Sequence, residues 1–135
     1  MKLTLELSET QAYILRDALD AYSRLLAGQV GIPIMDAVPW MTLHNARHPD
    51  MLDKLRSELD QVQSMITGLG RGTSFSLHAK EVPDRARQTY DILQVIRHSV
   101  ANHLHPRVNG SHWTVDHGIP RRTSEKEELP KCEVS

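Results

Sequence analysis

The chain has 135 residues, a formal charge of −1 with its eight histidines neutral, and aromatic residues at only 4%. That length holds one core rather than two. The near-neutral charge argues against a protein that coats nucleic acid through a broad basic surface, and the scarcity of aromatics argues against repeated stacking on single strands.

Lys2 to Leu7 alternates apolar and polar, so Leu3, Leu5 and Leu7 share one face of a predicted short strand. Ser8 is placed to cap a helix, with Gln11 three residues on to complete a capping box and Glu9 at the positive end of the dipole. Ala12, Leu15, Ala18, Leu19, Tyr22, Leu25 and Leu26 keep helical spacing, and Pro33 is expected to end that run. The stretch from residue 28 to residue 49 is apolar but broken by proline. It reads either as a loop packed on a neighbour or as a short helix from Pro39 to Arg47, and an exposed apolar loop there would suit a subunit interface.

Pro49-Asp50 opens a second long helix to about Thr67. Its Leu52, Leu55, Leu59, Val62, Ile66 and Leu69 form a seam expected to pack on the first helix. Glycines 68, 70 and 72 stop it. Thr73 to His78 is a second candidate strand, with Phe75 and Leu77 on one face. The longest helix is predicted from Val82 to His105. Its stripe of Ala86, Tyr90, Leu93, Ile96, Val100 and Leu104, widened by Ile92 and Val95, is broad enough to meet two partners. Trp113 to Asp116 is a third candidate strand. The fold class expected is therefore α+β, a small antiparallel sheet of two or three short strands packed between long amphipathic helices. A single domain is read over residues 1–124, followed by a charged, flexible tail over 125–135.

One cysteine, Cys132, permits no disulfide within the chain. With no apolar leader and no window of membrane-span length, a cytoplasmic location and no membrane contact are expected.

The segment 97–122 is strongly cationic. It carries Arg97, Arg107, Arg121 and Arg122 with five histidines, Asp116 is its only acid, and lysine is absent. Arginine suits bidentate contact with phosphate oxygens, and Asn109, Ser111 and Trp113 add hydrogen-bonding and stacking groups. Together they suit a small phosphate-bearing nucleotide; the competing reading is a solvated loop surface. Arg97 reads as a charge on the negative end of the helix dipole rather than a ligand. His44 and His48, and His98, His103 and His105, lack the further ligands that a zinc site needs, so no metal is expected. Asp53, Glu58 and Asp60 do not stack on one helix face as a magnesium-dependent hydrolase would require. No nucleophile elbow, phosphate-binding loop or zinc-protease signature occurs, so neither an enzyme nor a cofactor is expected.

Several segments together resemble a family of small phage proteins, the first described anti-Thoeris sponges. They are Leu3-Thr4-Leu5-Glu6-Leu7-Ser8, Ala18-Leu19-Asp20-Ala21-Tyr22-Ser23-Arg24 with Gly28-Gln29, Ser74-Phe75-Ser76-Leu77-His78, Val82-Pro83-Asp84-Arg85-Ala86-Arg87, and Tyr90 through His98. The segment 30–49 and the chain after Arg107 do not match. The resemblance implies an anti-defence binding protein in the cytoplasm of the infected bacterial host. It would sequester a cyclic ADP-ribose signal, in some members also cyclic oligonucleotides, without cleaving it. It further implies a homo-oligomer with pockets between subunits. On that basis Arg107, Arg121 and Arg122 are the expected pyrophosphate ligands, Asn109 a ribose or base ligand, and Phe75 or Trp113 the stacking surface. The alternatives are a phage protein that assembles through helical interfaces and, behind it, a metal-dependent nucleotide hydrolase.

Overall fold

The computed structural model describes residues 4–37, 49–104 and 119–134. Among them are four helices: α1 (Glu9–Leu26), α2 (Gly31–Ala37), α3 (Pro49–Thr67) and α4 (Asp84–Leu104).

Each boundary has a local cause. Ser8 Oγ accepts from Gln11 N at 3.3 Å while Ser8 N donates to Gln11 Oε1 at 2.9 Å, the capping box expected at the start of α1. At the other end, Gln29 N reaches Arg24 O at 2.9 Å and Gly28 N reaches Leu25 O at 3.0 Å. This is a Schellman closure, and it puts Gly28 at φ +78°. The chain restarts at once as α2, with Pro33 inside its first turn, where proline costs no hydrogen bond. A short helix that was not expected lies at Gly31–Ala37; the one expected at Pro39–Arg47 lies outside the described residues.

α1 and α4 form the principal pair. Their contact is lined by small side chains: Ala27, Ala86 and Ser23 are almost fully buried, and Ser23 Oγ donates to Ala86 O at 3.3 Å. Val82, Ala27 and Ala86 form a core cluster, closed by Leu26, Phe75, Leu77 and Ala79. Leu93 is wholly buried one further step along α4. α3 packs on α2 rather than along α1. Its inner face is held by Leu59 and by Gln63, whose Oε1 accepts from Val30 N at 3.0 Å and whose Nε2 donates to Thr73 O at 2.7 Å. The predicted seam is correspondingly split. Leu59 is buried, but Val62 and Ile66, with Met65 beside them, face outward.

The α+β expectation is corrected: among the described residues there is no strand and no sheet. Residues 4–8 run as irregular chain ahead of α1, with Leu5 and Leu7 exposed. Around Thr73–His78 the backbone bonds locally instead of laterally. Thr73 N turns back to Gly70 O, Ala79 N to Ser76 O, and Val82 N to Ala79 O. Phe75 and Leu77 still point inward together, so the alternation was real. What it reports is which side chains enter the core, and a period of two over six residues does not require a ladder partner. The third candidate strand, Trp113–Asp116, lies outside the described residues.

The second broad face of α4 is covered by the chain's own C-terminal segment. Residues 121–125 cross α4 from Gln94 toward Asp84, turn where Lys126 N and Glu127 N donate to Ser124 Oγ, and return until Cys132 O accepts from Ser99 Oγ. Asp91 lies beneath this crossing and is almost fully buried.

Candidate functional site

The face of α1 that carries Asp20, Ser23, Arg24 and Ala27 repeats at one-turn spacing, as does the face of α4 that carries Tyr90, Gln94 and Arg97. Where these two faces diverge beyond the small-residue contact, they leave a cleft of about 800 Å³. Gln29, Leu77 and His78 close one side of it, and Ile119 with Arg121 to Thr123 close another. The volume falls in the range of small-molecule sites.

Its electrostatics are one-sided. Among the described residues that line it, four guanidiniums (Arg24, Arg97, Arg121 and Arg122) meet a single carboxylate, Asp20, a formal sum of +3 with His78 neutral. Asp20 Oδ2 accepts from Arg24 Nε at 2.6 Å, and Asp20 Oδ1 lies 3.7 Å from an Arg97 Nη. Arg24 Nη1 also donates to Gln29 Oε1 at 3.0 Å. Arg24 and Arg97 are therefore oriented by one acid, and neither has a carboxylate to itself.

Arg121 and Arg122 reach the cleft because α4 side chains grip the backbone around them. Gln94 Oε1 accepts from Arg121 N at 2.8 Å and Gln94 Nε2 donates to Arg121 O at 2.6 Å, the pairing a neighbouring strand would make. Asp91 accepts from Thr123 Oγ1 at 2.7 Å, from Thr123 N at 2.9 Å and from Ser124 N at 3.0 Å. At the start of α4, Asp84 accepts from Ser124 Oγ at 2.9 Å and from Arg87 Nε at 3.0 Å. Desolvation pushes the Asp84 carboxyl up, but hydrogen bonds from Arg87, Ser124 and Glu125 N, with the Arg87 charge, outweigh it and hold the group below its ordinary value of 3.8.

Of the residues expected to bind ligand, Arg121 and Arg122 line the cleft. Arg107, Asn109 and Trp113 lie outside the described residues. Phe75 is half-buried against the Ala27–Val82–Ala86 cluster and does not line the cleft; the structure places it in the core. Arg97 stands about two turns before the end of α4, beyond the reach of a terminal dipole, and turns into the cleft. Arg24, Asp20, Tyr90 and Gln94 are not among the site residues expected from the sequence. The available signal was polar residues at helical spacing on otherwise apolar stripes, at 20 and 24 on α1 and at 90, 94 and 97 on α4.

Among the described residues no cluster of three or more histidine, cysteine or acidic side chains is placed to hold a metal, and no helix is long and apolar enough to cross a membrane. Comparison of the chain with family models, with curated proteins and with solved structures gives no match.

Proposed function

We propose that the chain is a phage anti-defence protein that captures a small cyclic nucleotide signal, of the cyclic ADP-ribose class, in the host cytoplasm and holds it without turnover. The observation that carries the reading is the convergence of Arg24, Arg97, Arg121 and Arg122 on one cleft, with a single acid among the described residues that line it. A pyrophosphate offers four or more acceptor oxygens to such a set, and charge-assisted bonds of this kind contribute about 1.5–3 kcal/mol each. Tyr90 on the cleft wall takes the place of Phe75 as the candidate surface for a base or ribose. Among the described lining residues Thr123 Oγ1 donates to Asp91 Oδ1 at 2.7 Å, a bond that fastens the 121–125 segment, and the rest of the lining supplies donors and a shape, which suits capture rather than cleavage. Homo-oligomerisation, with a neighbouring subunit completing the pocket, belongs to the same proposal, as does binding of cyclic oligonucleotides at a further site.

The test is ligand depletion. Purified protein is mixed with each of several cyclic ADP-ribose isomers, filtered, and the filtrate assayed by chromatography. Depletion of one isomer, with intact ligand recovered on heating, is the expected result. Undiminished ligand across the panel overturns the proposal, and appearance of a linear product makes the protein an enzyme.

One observation favours a second reading, a phage protein that assembles with a partner through helices. Val62, Met65 and Ile66 form an exposed apolar patch on α3, and nothing in the described chain covers it.

A further inference from the structure

The segment that brings Arg121 and Arg122 to the cleft is fastened in an unusual way. Its anchors are polar and are aimed at main chain: Gln94 on both the N–H and C=O of Arg121, Asp91 on the N–H groups of Thr123 and Ser124, and Asp84 on Glu125 N at 3.4 Å. Among the described residues little apolar surface is buried on the cleft side, where Pro120 is only half-buried. Ile119 is 81% exposed, and Arg121 and Arg122 are exposed as well. A segment held by directional bonds with little apolar burial opens more readily than the helices beneath it.

Seating this segment also has an electrostatic cost. It brings two guanidiniums beside Arg24 and Arg97, which share one carboxylate. With the cleft empty, the four like charges oppose seating; with an anion between them, the same charges favour it. Occupation and seating are then linked, and linkage acts equally in both directions.

We propose that residues 121–125 form a strap whose seating on α4, through Asp91 and Gln94, is coupled to occupation of the cleft by a phosphate-bearing anion. Asp91 is a positioning residue, whereas Gln94 both grips the Arg121 backbone and lines the cleft. Asp91 sits under the strap and acts on the ligand only through where it holds Arg121 and Arg122. This rests on the anion-binding reading of the cleft and adds its regulation: the pocket is half-assembled until its ligand arrives.

The strap carries its own reporter, because trypsin cuts after Arg121 and Arg122. The full-length chain is digested with and without saturating inorganic pyrophosphate, and nicks are assigned by mass spectrometry. Pyrophosphate affinity is measured separately by calorimetry. Pyrophosphate is expected to slow cutting at Arg121 and Arg122 by about tenfold, with cutting at Arg56 and Arg71 unchanged. Asp91→Asn is expected to speed strap cutting without pyrophosphate and to weaken pyrophosphate binding by about tenfold, with the helical circular dichroism intact. If Asp91→Asn unfolds, Asp84→Asn, which loosens the far end of the strap at Ser124 and Glu125 and does not line the cleft, decides the matter by the same two readouts. A ligand that merely shields the two arginines would protect the wild type but leave the affinity of these variants unchanged, and that outcome overturns the coupling. Wild type that binds pyrophosphate with no change in strap cutting also overturns it, while leaving the cleft an anion site. Wild type that neither binds nor is protected by pyrophosphate overturns the anion reading and the coupling together.

Discussion

The carboxylate of Asp20 lies 2.6 Å from Arg24 Nε, one turn further along α1, and its other oxygen faces Arg97 on α4. Asp20 therefore does two opposed things: it orients two guanidiniums, and it occupies them. For a small, strongly charged anion the second effect dominates, because pyrophosphate competes directly for the same donors. Asp20→Asn raises the formal sum of charge in the cleft from +3 to +4. Removing one unit charge about 4 Å away in high dielectric is worth about 1 kcal/mol. Pyrophosphate affinity is expected to rise about fivefold at low salt, with the gain shrinking as salt is added. Calorimetry at two ionic strengths checks both parts, and a loss of affinity would mean that orientation outweighs occupation.

Arg24 and Arg97 are not among the ligands expected from the sequence, and they line the same cleft as Arg121 and Arg122. Arg24→Ala and Arg97→Ala are each expected to weaken capture of the nucleotide by about tenfold to a hundredfold, the loss of one charge-assisted contact. Phe75→Leu is the contrasting variant. It shortens a core side chain, should cost less than about 1.5 kcal/mol of stability, and should leave capture unchanged. The depletion assay run on all three separates cleft from core.

The helices were legible because their signals are local. The Ser8–Gln11 box, the Pro49-Asp50 opening and the apolar periodicity of α4 each sit within one or two turns of what they specify. The expected sheet fails for the same reason: alternation around Phe75 and Leu77 is local, whereas a ladder depends on a neighbour that residues 73–78 do not have among the described residues. The cleft was hardest to see. Arg121 could be suspected from composition, but its placement depends on Gln94, 27 positions earlier. Arg24 and Arg97 share an acid only because Ser23, Ala27 and Ala86 let α1 and α4 approach so closely. Pairing of faces is a tertiary property, and a single helical period does not contain it.

Gly28 couples the end of α1 to the end of α3. Its φ of +78° is left-handed, and a Cβ placed there would stand 2.6 Å from Thr67 Cγ2. Gly28→Ala thus combines a conformational cost of about 1–2 kcal/mol with a steric one of about 1–3 kcal/mol. Thr67→Ser removes the offending methyl while keeping the hydroxyl that donates to Gln63 O at 2.8 Å. In a double-mutant cycle, Thr67→Ser is expected to recover the steric part of the Gly28→Ala loss and none of the conformational part. Urea denaturation midpoints measure both, and strict additivity would show that the helix ends move apart instead.

Gln63 is the polar counterpart of that junction. It is almost fully buried and joins α3 to Val30 N and to Thr73 O. Gln63→Ala leaves a main-chain donor and a main-chain acceptor without their partner, at about 1–3 kcal/mol for each group left unsatisfied. The expected result is a clear fall in the urea midpoint, with anion capture preserved in the fraction that remains folded. Gln63→Glu keeps the acceptor for Val30 N but loses the donor for Thr73 O, so it should fall between the two.

The pH dependence follows from Asp84. Its folded-state pKa lies below the ordinary value of 3.8, so the folded chain binds a proton there less readily than the unfolded chain does. The contribution is fully present above the unfolded value and is lost as pH falls through the folded one. Protonation removes the charge that strengthens the bonds from Arg87, Ser124 Oγ and Glu125 N and takes up part of the acceptor capacity, so the strap end should loosen before α1 and α4 separate. Tryptic cutting cannot be read in acid, but pepsin cutting near the strap can. Between about pH 5 and about pH 2 the wild type should become more readily cut there and should melt at progressively lower temperature. Asp84→Asn, which has no charge to lose, should start less stable at neutral pH and show a flatter melting curve over that interval. An Asp84→Asn profile parallel to wild type would place the acid sensitivity elsewhere in the chain.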